Sequence, residues 1–390
     1  MKNIKIIVLL FLQFIGVMVS AQESFTAVCE TGQNLLYVVS SIDPPEVTVE
    51  QCLDYFGGVT IPDTVEYNNI KYAVVAIGYH SFMNGCASMN FSGPLVIPNT
   101  VREIGARAFW DCWFTGPLVI PNSVQTIGEY AFFRCKKFSS LTLSESLTCI
   151  EESSFDECEN MRGDLIIPES VEYIGHDGFS RCAFDGTLYL PSNMSYVMHG
   201  SFFELFNITA IDIPEGVVFI DWMAFDFLNK PTELELPSTL TSIEDLAFCN
   251  LYRLEQMTVH ATEPPIIRDE TFKQVNRDIP VYVPVGTLDA YKIAPYWSEF
   301  TNFIEKGGVG VDEQGGNSLA RVYPNPASDW VRIDGLNPIE VQVFNSVGQL
   351  VKTIRGMNEF SLEGLPESVY LLCINTAEGK KHTARVIVKK

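Results

Sequence analysis

The chain has 390 residues, of which 47% are apolar, 48 are acidic and 26 are basic, giving a formal charge of −22. That length suits two or three domains, and that apolar content supplies a large core, so global disorder is excluded. So acidic a surface repels nucleic acid and anionic membranes and excludes both as partners.

Residues 1–21 read as a secretory signal peptide. Lys2 and Lys5 precede an apolar run from Ile6 to Val19, and Val19 and Ala21 are the small residues before a cleavage point at Gln22. The run is short and is followed by small residues rather than basic ones, unlike a membrane anchor. The mature chain is expected to leave the cytoplasm with no integral membrane segment. Residues 22–58 form an expected N-terminal β cap, in which Phe25–Ser40 reads as a hairpin. Cys29 and Cys52 both fall in this cap, and an exported chain meets oxidants, so the two are a possible disulfide.

From residue 59 the chain repeats itself. Leu95–Cys112 and Leu118–Cys135 share eleven of eighteen letters at a spacing of 23 residues. Anchors at Pro98, Pro121, Ser144, Pro168, Pro191, Pro214 and Pro237 continue the series. A first copy at Val59–Pro62 is interrupted by Glu66–Val74, which reads as an inserted hairpin. Worn copies follow at Met257–Val259 and Val281–Pro284. A fixed period of this length with alternating apolar residues at its start marks a leucine-rich solenoid. In each copy an alternating Leu-x-Ile suits a short strand, which Pro then ends. A Phe at 109, 132, 179, 225 and 248 falls at one place in each copy and predicts a stack of rings through the core. No copy can bury its apolar side alone, so the copies must stack.

Two columns of residues are expected to face outward. The strand centres are Val96, Val119, Thr142, Ile166, Tyr189, Asp212, Glu235 and Thr258, apolar at one end and acidic further along. The second column is Glu103, Thr126, Cys149, Tyr173, Tyr196, Phe219 and Ser242. Its three consecutive aromatics, Tyr173, Tyr196 and Phe219, together with Tyr189 and Trp222 from the same coils, are the candidate ligand-binding residues, because exposed stacked aromatics mark contact surfaces. Cys112, Cys135, Cys158 and Cys182 share one repeat position, which Leu205, Leu228 and Leu251 take later. A position that accepts Cys and Leu alike is an apolar core site holding free thiols; the alternative is a set of disulfides between neighbouring coils, whose stacked backbones lie close enough in an exported chain.

The repeat form Leu-x-Ile-Pro-x-x-Val-x-x-Ile-Gly-x-x-Ala-Phe-x-x-Cys resembles the BspA-like leucine-rich repeats of bacterial surface proteins. The resemblance covers residues 59–305, and its last stretch, Val281–Glu305, looks like the closing unit of that family. It implies a repeat solenoid of short parallel strands.

Residues 306–320 hold five glycines without apolar periodicity and read as a flexible linker. In residues 321–390, alternation in Val341-Gln342-Val343 and short strands at near-regular spacing indicate a small C-terminal β-sandwich. The charge shifts there to net +2. Tyr323-Pro324-Asn325-Pro326, Asn345-Ser346-Val347-Gly348, Gly364-Leu365 and Tyr370 make this stretch similar to the C-terminal sorting domain of the type IX secretion system. Ser368 stands where that family usually has Gly. The resemblance implies passage through the periplasm and across a bacterial outer membrane, with the secretion machinery as partner through residues 321–390. The product would be secreted or attached to the outer surface.

No catalytic motif, phosphate loop or calcium loop is present in the sequence. His176 and His199 share one repeat position near Asp177, but a third metal ligand is not evident, so they read as turn residues. The expectation is a non-enzymatic recognition protein without cofactor or metal, adhering to extracellular protein or glycan of a host or neighbouring cell. The alternative is a structural surface component that self-associates.

Overall fold

The computed structural model describes residues 22–83, 90–306, 321–323, 327–328, 330–334, 336–345, 349–376 and 381–389. The signal peptide, Cys86, the linker from 307 onward, and Pro324, Asn325, Pro326 and Gly348 of the sorting motif lie outside the described residues. The chain divides into two compact units, Met1–Val281 with Ala290–Asn302, and Tyr282–Asp289 with Phe303–Lys390.

The first unit begins with the cap. Ser24–Val28 pairs antiparallel with Asn34–Ile42, which pairs antiparallel with Pro45–Cys52. Pro45–Cys52 then runs parallel to Ile70–Ile77 and so hands its sheet to the coils. The inserted hairpin is Thr64–Tyr67 against Ile70–Ile77. It turns through Asn68 and Asn69 at φ 52° and 61°, a left-handed pair that Asn tolerates and a two-residue hairpin requires.

Most coils contribute two short strands where the sequence showed one. The Leu-x-Ile stretches pair parallel as Gly116–Val119 with Phe138–Thr142, as Leu165–Ile166, Thr187–Tyr189 and Ala210–Asp212, and as Glu233–Leu236 with Gln256–Val259. The second strands are only two residues long. Glu103–Ile104, Thr126–Ile127, Cys149–Ile150 and Tyr173–Ile174 extend the cap sheet; Tyr196–Val197, Phe219–Ile220 and Ser242–Ile243 form another. Strand residues separated by one repeat pair directly, as Thr126 does with Cys149, so each outward column stays aligned.

The ladder of rings runs from Phe82 through Phe109, Phe132, Phe155, Phe179, Phe202, Phe225 and Phe248 to Phe272. Successive centroids are 5.0, 5.0, 5.3, 5.1, 6.0, 5.6, 5.3 and 5.6 Å apart, with planes within 15° of parallel. Trp297 and Phe300 lie across its end, 5.6 and 5.7 Å from Phe272. The polar tips buried there are satisfied: Tyr291 Oη donates to Ala261 O at 2.7 Å and Trp297 Nε1 to Pro265 O at 2.7 Å.

The turns that carry the Phe residues hold two left-handed positions in most coils, such as Arg107 and Asp111 (φ 56° and 55°) and Tyr130 and Arg134 (φ 55° and 59°). Such a backbone is unfavourable for these side chains, and the main-chain ladder fixes it. Arg107 N–H donates to Glu129 O and Asp111 N–H to Phe133 O, both at 2.8 Å. Gly128 has a separate cause: a Cβ there would stand 2.6 Å from Ala106 N on the preceding coil.

The cysteine column is core. Cys112, Cys135, Cys158 and Cys182 are buried free thiols. Each donates to a Phe carbonyl one coil earlier, Phe82, Phe109, Phe132 and Phe155, at 2.9, 3.0, 3.3 and 3.1 Å. Cys29 and Cys52 are not joined. Cys29 Sγ donates to Gln33 Oε1 at 3.1 Å, and Cys52 Sγ donates to Asp54 O at 3.1 Å.

In the second unit, residues 321–389 form two antiparallel sheets. One orders Arg321–Tyr323, Trp330–Asp334 and Glu359–Ser361; the other orders Leu350–Arg355, Pro338–Phe344, Ser368–Thr376 and Lys381–Val388. Val331, Ile333, Val341, Val343, Leu372 and Ile374 are buried with Tyr370 in one core. Tyr370 Oη donates to Pro366 O at 2.9 Å, and Gly364 sits at φ 86°, where a side chain would be strained.

Candidate functional site

The candidate aromatics do not form one stripe. Tyr196 and Phe219 are paired residues of neighbouring two-residue strands, and their rings stack with centroids 4.4 Å apart and planes 19° apart. The 23-residue period alone aligns them: parallel pairing repeats each side chain directly over its predecessor. Tyr173 occupies the same repeat position, 38% exposed, but on the last strand of the cap-continuous sheet, while Tyr196 begins a separate sheet at 46% exposure.

Trp222, 39% exposed, sits in the turn that follows Phe219. It packs edge-on to His199 at 4.5 Å, and His199 packs edge-on to His176 at 5.2 Å. The two histidines therefore share a column, as their spacing predicts, and the next member of that column is a tryptophan. Among the described residues no group of three or more His, Cys, Asp or Glu is placed to hold a metal ion.

Tyr189 requires a correction. As a strand centre it was expected to face solvent, yet it is 9% exposed. It lies on the other strand column, in register between Ile166 and Asp212 of the neighbouring coils. Alternation along a strand gives direction but not cover, and here the ring is covered.

The electrostatic setting of the exposed rings is acidic. Burial first, then Asp221 and Glu244, pushes the Tyr196 phenol up; burial first, with Glu151, Cys149 and Glu152 adding, does the same for Tyr173. Both phenols stay protonated at neutral pH. Rings beside carboxylates accept neutral or cationic groups and repel anions. Asp156, buried further round the coil, is pushed up to about 6 by burial even though Arg181 forks onto its carboxylate. Burial similarly raises Asp177, Glu204 and Asp226.

One cluster escaped sequence reading. Tyr79, Arg107, Trp110 and Tyr130 gather at the turn edge of the first coils. Aligning the turns at the 23-residue period would have placed Arg107 beside Tyr130.

The BspA type leucine rich repeat region matches residues 75–197 and 163–277, in six copies. The chain belongs to the BspA type leucine-rich-repeat family. Its C-terminal stretch, residues 321–389, matches the secretion system C-terminal sorting domain. This BspA-type chain is thus a secreted or outer-surface protein of a bacterium, handled by type IX secretion machinery. Of the sorting motif, Tyr370 is described and is buried in the core of that module.

Several solved structures are similar to this chain. A leucine-rich repeat protein from Bacteroides ovatus is 22% identical, covering 70% of this chain and 75% of its own, with a TM-score of 0.47. A leucine rich cell surface protein from Faecalibacterium prausnitzii is 18% identical, covering 74% and 97%, with a TM-score of 0.40. The T. pallidum leucine rich repeat protein is 20% identical, covering 56% and 86%, with a TM-score of 0.40. No curated protein matches the chain. Among the described residues no helix is long and apolar enough to cross a membrane.

Proposed function

We propose that this BspA-type protein is a non-enzymatic recognition module that adheres to extracellular protein or glycan of a host or neighbouring cell. The observation that supports this most is the Tyr196–Phe219 stack, with Tyr196 46% exposed on the outer face of rigidly paired strands. A core has no use for rings left in water, whereas a binding surface gains from aromatics already ordered before contact, because little conformational freedom remains to be lost. Trp222 adds an exposed ring in the turn that follows Phe219, and Asp221 and Glu244 beside Tyr196 favour neutral or cationic partners.

The test is binding of the purified chain to an array of extracellular-matrix proteins, mucins and glycans. A triple variant, Tyr173→Ser, Tyr196→Ser and Phe219→Ser, is measured beside it, with circular dichroism to establish folding. Binding by the parent that is lost in the folded variant supports the reading. Binding that the folded variant retains rejects the stack as the site. Absence of binding together with assembly driven by divalent cations rejects adhesion in favour of a self-associating surface component.

A further inference from the structure

We propose a second binding site, on the turn edge of the first three coils, that takes an acidic polysaccharide bearing carboxylate groups. It is separate from the Tyr196–Phe219 stack and does not rest on it.

The charge of the repeats is strongly uneven. Residues 151–250 carry nineteen acidic and three basic groups, whereas residues 101–150 carry four acidic and five basic. Most of the solenoid's arginines are matched to carboxylates: Arg102 to Glu46, Arg134 to Glu157, Arg181 to Asp156 and Arg268 to Glu244. Arg107 is different. Among the described residues no carboxylate oxygen lies within 4.0 Å of its guanidinium. Half-buried Arg107 rests instead on the Tyr79 hydroxyl and on the rings of Trp110 and Tyr130, and a carboxylate at that wall, Glu152, accepts from Tyr130 Oη at 3.1 Å.

What surrounds Arg107 indicates the ligand. Its backbone is pinned in the left-handed region by the bond to Glu129 O at 2.8 Å. Its Nη1 donates to Tyr79 Oη at 3.3 Å on the preceding coil. Its Cζ lies 5.1 Å from the Trp110 ring centre and 5.4 Å from that of Tyr130 on the following coil. Phe133 wedges against Trp110 and Tyr130 at 4.9 and 5.5 Å, which fixes the aromatic wall. Tyr79 stacks one face on His80 at 3.7 Å and is 56% exposed.

A guanidinium held on aromatic rings is poorly hydrated and presents a planar fork of N–H groups, the match for a carboxylate. An open tyrosine face beside it can receive the partly positive C–H groups of a sugar ring. Together these features select a uronate-type sugar over a neutral one. His80 adds no second cation at neutral pH, because burial and the neighbouring Arg107 both disfavour its charged form.

The probe is polygalacturonate oligosaccharide, titrated calorimetrically into the purified chain at low and at raised salt, with neutral galactan in parallel. The uronate is expected to bind, to weaken as salt rises, and to be preferred over galactan. Arg107→Gln is expected to lower its affinity tenfold or more with an unchanged circular dichroism spectrum. Arg107→Lys, which keeps the charge and loses the fork, falls between, and Tyr196→Ser leaves binding intact. The proposal is overturned if the chain ignores polygalacturonate, if galactan binds equally, or if Arg107→Gln binds like the parent. Polyglutamate bound as tightly as the uronate would overturn the sugar assignment in favour of an acidic peptide.

Discussion

Replacing Phe155 by Ala tests whether the ring ladder holds the solenoid together. Phe155 is fully buried, 5.3 Å from Phe132 and 5.1 Å from Phe179, with planes tilted by only 5° and 2°. Truncating a buried Phe to Ala costs about 3–5 kcal/mol. Losing two stacked partners, worth about 0.5–1.5 kcal/mol each, places this site at the upper end. Collapse of the hole is resisted, because Phe155 N–H is held to Gly178 O at 2.9 Å. Each coil touches only its neighbours, so no distant contact compensates. At roughly 2–4 °C per kcal/mol for a unit of this size, the melting midpoint should fall by about 10 °C or more. Phe155→Leu keeps most of the volume but loses both ring partners, and should cost about 1–3 kcal/mol, less than the alanine. Urea and thermal unfolding followed by circular dichroism read both variants. A loss below about 1 kcal/mol for the alanine, or equal losses for the two, would refute the ladder as the stabilising element.

Three further outcomes follow from the same coils. Asp156 is raised to about 6, so the fold retains a proton that the unfolded chain releases; its contribution is complete below about pH 4 and is lost as the pH climbs to 6. Asp156→Asn should flatten that fall in stability by no more than about 3 kcal/mol, measured as urea midpoints across the window, and an unchanged slope would defeat the argument. Gly128→Ala forces a methyl to within 2.6 Å of Ala106 N and should cost about 1–3 kcal/mol in chemical unfolding; a neutral substitution would mean that the coils can separate freely. A thiol-reactive dye should leave Cys112, Cys135, Cys158 and Cys182 untouched in the native chain and count all ten cysteines in denaturant without reductant; a lower count would reveal bridges, with Cys29 and Cys52 the first pair to examine.

The period of 23, the apolar positions within it and the change of text after Glu305 were enough to establish a stacked solenoid followed by a small sandwich, because burial is periodic and the period is written in the residues. The Phe ladder and the core place of the cysteines were legible for the same reason. The second, two-residue strands were not: two residues carry no alternation, and the ladder that makes them strands joins residues a full repeat apart. Nor were the left-handed turn positions, where Arg107, Tyr130 and Phe227 stand without the glycine that would have announced them. Outward direction could be read for Tyr196 and for Tyr189 alike, but exposure could not. Whether an outward ring meets solvent depends on what packs around it, which leaves Tyr196 46% exposed and Tyr189 only 9%. That no described carboxylate pairs with Arg107 within 4.0 Å is likewise a fact of distance, and only the tertiary structure, which sets distances between residues remote in sequence, could decide it.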